Sequence, residues 1–199
     1  LCSRYDSAYW QQVDHERGYP EAFVTAITEA GWLAALIPEQ FGGSGLGLAE
    51  ASVIMEEINL SGGNAGSCHG QMYNMGTLLR HGSDEQKKLY LPKIASGELR
   101  LQSMAVTEPT TGTDTTKLKT TAVKKGDRYV INGQKVWNTS AHHADYGMLL
   151  ARTNRDGSKH HGITYFVLPM RQPGVEVRPI KQMNYHSSFN EVFMTDARI

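Results

Sequence analysis

Hydrophobic positions change their spacing once along this chain, near residue 99. Upstream, apolar side chains recur at intervals of three and four, the period that lines up one face of a helix. Tyr9, Trp10 and Val13 share such a face, and that helix ends by Gly18. Pro20 then serves as the first residue of a second helix, with Phe23, Val24 and Ile27 along one side and Gly31 as the stop. Trp32 to Ile37 reads as a buried apolar run. Leu48 to about Leu60 carries Val53, Ile54 and Ile58, and Gly62-Gly63-Asn64 closes it by supplying positive φ. Gly66 to Arg80 places Met72, Met75, Leu78 and Leu79 as core contacts, the methionines as packing rather than chemistry. Ser83-Asp84-Glu85-Gln86 has the spacing of a capping box, so a short helix starts there, and Pro92 and Gly97 bracket a further turn or two.

From Leu99 onward the period shortens to two. Strands are expected over Arg100 to Val106, Thr120 to Lys124, Arg128 to Val136, Met148 to Thr153, Gly162 to Pro169, Val175 to Pro179 and Glu191 to Met194. Lys125-Gly126-Asp127 is a hairpin turn. Asn132-Gly133 is either another turn or a kink in a longer strand. The pattern predicts an α+β chain with a helical N-terminal domain over residues 1–98 and an antiparallel β-barrel or sandwich domain over 99–199. Thr153 to His161 is expected as an exposed, mobile hairpin loop.

Composition narrows the function classes. The chain has 199 residues, 40% of them hydrophobic, which is enough for a core. Twenty basic residues balance twenty acidic ones with no block of like charge, which removes the electrostatic footprint of a nucleic-acid partner. Cys2 and Cys68 stand far apart without CxxC spacing, so neither a disulfide framework nor a structural zinc site is supported. The longest apolar stretch, Trp32 to Pro38, is too short for a membrane span, and no signal peptide is visible. The expectation is a soluble intracellular protein in a reducing compartment. Both ends, Leu1 and Arg198-Ile199, read as cut from a longer chain.

Three features carry candidate chemistry. Gly42-Gly43-Ser44-Gly45-Leu46-Gly47 is glycine-rich, but it lacks the Lys-Ser/Thr of a P-loop and follows Pro38 rather than a strand, so a tight connection between helices is the better account. His69 and His81 read as surface or hydrogen-bonded helical histidines. The third feature is the pair of segments Leu101 to Asp114 and Tyr129 to Ser140. Pro109 pushes Glu108 into an extended conformation, and Gly112 permits a reversal. Such a turn exposes successive N–H groups, and Thr107, Thr110, Thr111 and Thr113 add hydroxyls without charge, a donor set suited to pyrophosphate or a polar heteroaromatic edge. Asp114 and Thr113 capping an ordinary turn is the structural alternative. Trp137, beside Asn138, Thr139 and Ser140, adds a flat apolar plate at a strand end.

At this point the sequence resembles the acyl-CoA dehydrogenase family, flavoproteins that oxidise acyl-CoA thioesters to trans-2-enoyl-CoA. Ala105-Val-Thr-Glu-Pro-Thr-Thr-Gly-Thr-Asp114 is similar to the family's Val-Thr-Glu-Pro-x-Ala-Gly-Ser-Asp loop. Tyr129-Val-Ile-Asn-Gly-Gln-Lys-Val-Trp-Asn-Thr139 is similar to Tyr-x-Ile-Asn-Gly-x-Lys-x-Trp-Ile-Thr. Weaker echoes at Glu39 to Gly43, Gly82 to Lys87, Leu91 to Gly97 and Glu191 to Phe193 extend the likeness over nearly the whole chain. The resemblance implies FAD lying across the β domain. Met104, Ala105, Val106 and Thr107 would line the isoalloxazine edge, Thr113 would bind the pyrophosphate and help place the thioester substrate, Trp137 would pack on the flavin, and Thr139 would hydrogen-bond N5. Thr111 and Thr113 replace the usual Ala and Ser, and Asn138 replaces a typical Ile, adding polarity to the cofactor-binding set.

The resemblance also implies a general base, a glutamate of a C-terminal four-helix domain, that this stretch does not contain, so no catalytic residue is assigned here. Glu108 reads as structural. The same missing domain would supply dimer and tetramer contacts, so the expected partners are an acyl-CoA substrate, an electron-transfer flavoprotein or similar acceptor, and further copies when full length, with no nucleic acid and no membrane span. The location implied is cytoplasmic, or the mitochondrial matrix in a eukaryote. A chain limited to these residues is expected to bind FAD weakly and to lack dehydrogenation. The first rival is a non-catalytic flavin- or CoA-binding module. The second is metal-assisted hydrolysis at His142-His143 with Asp145, or at His160-His161; adjacent histidines on a strand point to opposite faces, which disfavours chelation.

Overall fold

A computed structural model describes residues 1–157 and 159–199. The chain divides into two compact units, Leu1–Arg100 and Leu101–Ile199. The first is helical and the second is a sheet, as the change of hydrophobic period requires.

The helical unit contains α1 (Ser7–His15), α2 (Glu21–Glu29), α3 (Leu48–Leu60), α4 (Gly66–His81) and α5 (Asp84–Ala95). Asp6 starts α1 by accepting from the amides of Ala8 and Tyr9. Pro20 is the N-cap of α2 rather than its first helical residue. Phe23, Val24 and Ile27 bury the inner face of α2, and Tyr5 and Trp10 meet Phe23 edge-on at centroid distances of 5.3 and 5.0 Å. Gly31, with φ of 80°, ends the helix. In the following run Leu33, Ala34, Ala35 and Ile37 are buried, while Trp32 is 45% exposed, because a 3-10 turn over Trp32–Ala34 rotates the indole outward.

The Gly42–Gly47 segment uses its amides on neighbouring backbone. Ser44, Gly45 and Leu46 donate to the carbonyls of Ala34, Ile37 and Ala35 at 3.3, 2.8 and 2.8 Å. A Cβ on Gly43 would stand 2.1 Å from the Ile37 carbonyl oxygen. The glycines therefore let one stretch of backbone lie against another, and the amides a phosphate would need are occupied.

Of the three apolar residues noted on α3, Ile58 is buried and Val53 is 55% exposed. Met72, Met75 and Leu78 of α4 are buried and Leu79 is half-buried. Burial pushes the Cys68 thiol up to about 11, which suits packing rather than reactivity. The capping box is present on α5, where the Ser83 hydroxyl accepts from the Gln86 amide and the Gln86 side chain accepts from the Ser83 amide. No helix among the described residues is long and apolar enough to cross a membrane.

The second unit is a curled sheet of β1 (Leu101–Ala105), β2 (Thr121–Lys125), β3 (Arg128–Thr139), β4 (Tyr146–Arg152), β5 (Ile163–Pro169), β6 (Val175–Ile180) and β7 (Phe189–Arg198). The order is β1-β4-β2-β3-β7-β6, with β5 on β4. β2–β3, β3–β7, β4–β5 and β6–β7 pair antiparallel. β1 pairs parallel with β4, and β2 meets β4 in parallel at Thr121 and Arg152, so the sheet is mixed at one side. The long connection from β1 to β4, which contains the whole β2–β3 hairpin, supplies the crossover that parallel neighbours need. The core is rich in small and medium side chains, among them Ala105, Ala122, Ile131, Leu149, Ala151 and Val192, with Phe166, Met170 and Met194 as its larger members.

Gly126, with φ of 65°, turns the β2–β3 hairpin. Asn132-Gly133 kinks β3 instead of ending it. Gly133 has φ of 156°, the register slips between Ile131 and Gly133, and a Cβ there would lie 2.4 Å from the Thr120 hydroxyl oxygen.

Candidate functional site

Alternation along β3 places Tyr129 and Ile131 against the core of the sheet, and two steps of two further on Lys135 is wholly buried. The pattern then breaks. Lys135 faces Val192 and Asn138 faces Asn190, so two residues, Val136 and Trp137, lie opposite the single Glu191. This bulge carries Trp137 at a φ of 63°. The consequence is a change of face: Trp137 is 58% exposed and Thr139 is exposed, while Asn138 between them is wholly buried.

Because the sheet curls, the end of β1 and the loop after it come against β3. Three carbonyls of that segment are held by three neighbouring residues of β3. Asn138 Nδ2 donates to Met104 O at 3.3 Å, Lys135 Nζ to Val106 O at 2.9 Å, and the Val136 amide to Thr107 O at 2.9 Å. Lys135 Nζ also reaches Glu108 Oε1 at 3.0 Å. The Glu108 carboxylate takes two more bonds, from the amides of Lys119 at 2.6 Å and Thr120 at 2.8 Å. Burial alone would raise the Glu108 pKa, but the bonds from Thr120, Lys119 and Lys135 outweigh it and hold the carboxyl below its ordinary value. Burial pushes the Lys135 ammonium down from its ordinary value, against the pull of Glu108.

The loop reverses at Pro109-Thr110 rather than at Gly112. Glu108 and Thr111 exchange amide-to-carbonyl bonds at 2.9 and 3.2 Å, a turn with proline at its second position. Gly112 lies close to Thr107; a Cβ on it would meet Thr107 Cγ2 at 3.5 Å. Asp114 is spent locally, accepting from the amide and hydroxyl of Thr116 to cap a 3-10 turn over Thr115–Lys117. Thr113 stays exposed beside it.

Of the residues picked out in the sequence, Met104, Val106 and Thr107 are half-buried on β1 and its loop, and Trp137 and Thr139 are exposed on β3. These five are brought together by the three carbonyl bonds. Ala105 and Asn138 have wholly buried side chains, so they offer the open face backbone alone. Phe189, opposite Thr139 on β7, meets Trp137 edge-on at 6.1 Å.

Sequence reasoning missed Lys135, Phe189 and Asn190. Lys135 left a signal: it falls on the inward parity of Tyr129 and Ile131, and an inward lysine demands a carboxylate. Asn190 donates from Nδ2 to Asn138 O at 2.9 Å, and nothing in its neighbourhood marks it.

The exposed indole, the donor-rich loop opposite it and the hydroxyls of Thr107, Thr113 and Thr139 fit a flat heterocycle with a phosphate tail. A groove of about 610 Å³ that starts at Asp114, next to Thr113, is lined by Lys117, Arg152, Arg155 and Lys159, with Asp114 paired to Lys117 at 3.4 Å. His142 and His143 lie in a turn with ring centroids 4.0 Å apart and planes tilted by 46°; among the described residues no three His, Cys, Asp or Glu side chains gather as a metal site. His142 is lowered by burial, opposed by Asn190.

Known proteins match this arrangement along both units. The acyl-CoA dehydrogenase N-terminal domain matches residues 2–98, and the acyl-CoA dehydrogenase middle domain matches residues 103–197. Acyl-CoA dehydrogenase IpdE1 of Mycobacterium tuberculosis is 38% identical over 173 residues, covering 86% of this chain and 43% of the relative. The mitochondrial isovaleryl-CoA dehydrogenase of Pongo abelii is 36% identical over 169 residues, covering 82% of this chain and 40% of the relative. A glutaryl-coenzyme A dehydrogenase solved with glutaryl-CoA superposes with a TM-score of 0.89 at 28% identity, covering 100% of this chain and 51% of that one. The chain thus spans less than half the length of these two curated relatives.

Proposed function

The chain belongs to the acyl-CoA dehydrogenase family, and from that premise we propose that it is the flavin-holding part of an enzyme that oxidises an acyl-CoA thioester to a trans-2-enoyl-CoA. FAD, when bound, supplies the acceptor for the β-hydride. In this reading Trp137 offers its face to the isoalloxazine ring, Thr139 donates to the reacting edge, and Val106 and Thr107 meet the pyrimidine edge. Thr113 holds the pyrophosphate and the thioester end of the substrate. The cations of Lys117, Arg152, Arg155 and Lys159 suit the phosphates of a CoA thioester.

The observation that carries this reading is the capture of Met104, Val106 and Thr107 by Asn138, Lys135 and Val136. It holds a polar loop and an exposed indole at fixed spacing without using the indole itself as packing. Glu108 is buried and tied by four hydrogen bonds counted over its two oxygens and its amide, so it has no freedom to take a substrate proton. The α-proton acceptor, the electron-transfer flavoprotein or similar acceptor, and assembly into oligomers belong to the whole enzyme.

The experiment is a titration of this chain with FAD, followed by visible spectrum and flavin fluorescence, and then addition of short, branched and long acyl-CoAs to the full-length gene product under anaerobic conditions. Expected are saturable flavin binding by the chain and bleaching of the flavin by at least one thioester. Stoichiometric FAD with no bleaching by any thioester would favour a non-catalytic flavin module; no FAD binding by either protein would sink the reading.

A further inference from the structure

Of the three carbonyls that β3 captures, two are held by neutral donors, the side-chain amide of Asn138 and the backbone amide of Val136. The middle one, Val106 O, is held by a charge. Lys135 is wholly buried, and burying an ammonium is costly enough to need the equally buried Glu108 beside it. A neutral donor would have held the loop as well as it holds Met104 and Thr107.

The geometry of the peptide shows what a cation at that point can do. A trans peptide is planar, with its C=O and N–H pointing in opposite directions, and among the described residues no peptide bond is cis. Lys135 Nζ lies 2.9 Å from Val106 O, so the N–H of Thr107, the other end of the same peptide, points away from Lys135. Among the described residues no acceptor meets that N–H. A cation on the oxygen draws electron density along O=C–N–H, and in a buried setting hydrogen-bonded groups polarise one another in series.

We propose that Lys135 is a positioning residue that polarises the Val106–Thr107 peptide, turning the Thr107 N–H into a strengthened donor for the pyrimidine edge of a bound flavin, where negative charge gathers on reduction. This rests on the flavin reading above. Glu108 sets the size of the effect, because its carboxylate offsets part of the Lys135 charge. The two residues therefore act in opposite directions on the same N–H, although they act together in holding the loop.

That opposition separates charge from mere support. Lys135→Met and Glu108→Gln are prepared in the 199-residue chain, together with the double variant, which leaves no buried charge and stands in for Lys135→Met where the single variant fails to fold. Two readouts are taken at pH 7: the Thr107 15N chemical shift without flavin, which reports bonding at the preceding carbonyl, and the reduction potential of bound FAD. Lys135→Met and the double variant should move the 15N shift toward that of an unpolarised amide. They should also reduce the preference for reduced over oxidised flavin about tenfold, the difference between a charge-assisted and a neutral hydrogen bond, or about 30 mV for a two-electron couple. Glu108→Gln should move both readouts the other way while Lys135 keeps its proton, so both are repeated at pH 5.5, where the ammonium left without its carboxylate is more fully protonated. Shifts of the same sign in Lys135→Met and Glu108→Gln, or an unmoved Thr107 15N in a folded variant lacking Lys135, would overturn the proposal. Failure of the parent chain to bind FAD would strike the flavin reading instead, and the 15N shifts would still decide whether the amide is polarised.

Discussion

Lys135 Nζ lies 3.0 Å from Glu108 Oε1, with the two side chains 0% and 4% exposed, and this ion pair joins β3 to the loop that follows β1. Each partner also holds backbone, Lys135 the Val106 carbonyl and Glu108 the amides of Lys119 and Thr120. Truncating one side leaves the other charge buried without compensation. Lys135→Ala is expected to destabilise the β unit by about 3–5 kcal/mol. Urea unfolding followed by tryptophan fluorescence checks this, and a loss below about 1 kcal/mol, the range of an exposed pair, would show that the pair does not hold the loop.

The same pair sets a pH dependence. The Glu108 carboxyl is held below its ordinary value of 4.5, so the unfolded chain takes up a proton at a higher pH than the folded one does. The stability it contributes is complete above the unfolded value and drains away as pH falls through the folded one. Between pH 6 and pH 3, on the order of the ordinary carboxylate range, parent stability should fall more steeply than that of Glu108→Gln, which starts lower and has no such proton to bind. Parallel slopes for the two proteins in urea melts over that range would rule the linkage out.

Gly43 answers the question posed by the glycine-rich stretch. A Cβ would fall 2.1 Å from Ile37 O and 2.5 Å from Ala34 O, both backbone atoms that cannot swing aside. Gly43→Ala should therefore cost the helical unit about 1–3 kcal/mol, the usual range for overpacking. The helical far-UV signal should melt earlier while the affinity for FAD stays within about twofold, well under the tenfold that 1.4 kcal/mol represents. Weaker phosphate or nucleotide binding with unchanged melting would return the segment to the ligand-cradle reading.

These positions show what the sequence could and could not disclose. The helical and strand periods place α1 to α4 and β1 to β7 to within a few residues, because burial on one face is a local, repeating demand. The Ser83–Gln86 capping box gave the start of α5 because its two hydrogen bonds are local, but α5 is one helix that runs on through Pro92 to Ala95 rather than a short helix followed by a separate turn or two. The parallel pairing of β1 with β4 was not, since alternation is the same for either direction and strand order depends on where long connections go. Within the site, Trp137 and Thr107 announced themselves by residue type. The bulge that turns Asn138 inward did not, because a tryptophan at positive φ runs against its own preference and is held there by the β3–β7 register. Lys135 lay between: its parity pointed inward, but its partner stands in a loop whose approach to β3 depends on the curl of the whole sheet.

Trp137 offers the clearest separation of fold from function. Its φ of 63° is a conformation that a bulky side chain avoids, at a cost of about 1–3 kcal/mol, and its indole is 58% exposed, so little burial offsets that cost. Strain of this kind persists where the side chain is needed in one place. Trp137→Gly removes the strain and, by the same step, the plate on which a flavin would lie. The variant is expected to unfold at the same or a higher urea concentration than the parent. Its affinity for FAD should fall about tenfold to a hundredfold, on the scale of about 1–3 kcal/mol for a heterocycle stacked on an aromatic side chain. Trp32→Phe, at an exposed position of the helical unit, is the control and should bind FAD as the parent does. A Trp137→Gly chain that loses stability yet keeps its FAD would mean that the indole supports the bulge and the flavin rests elsewhere.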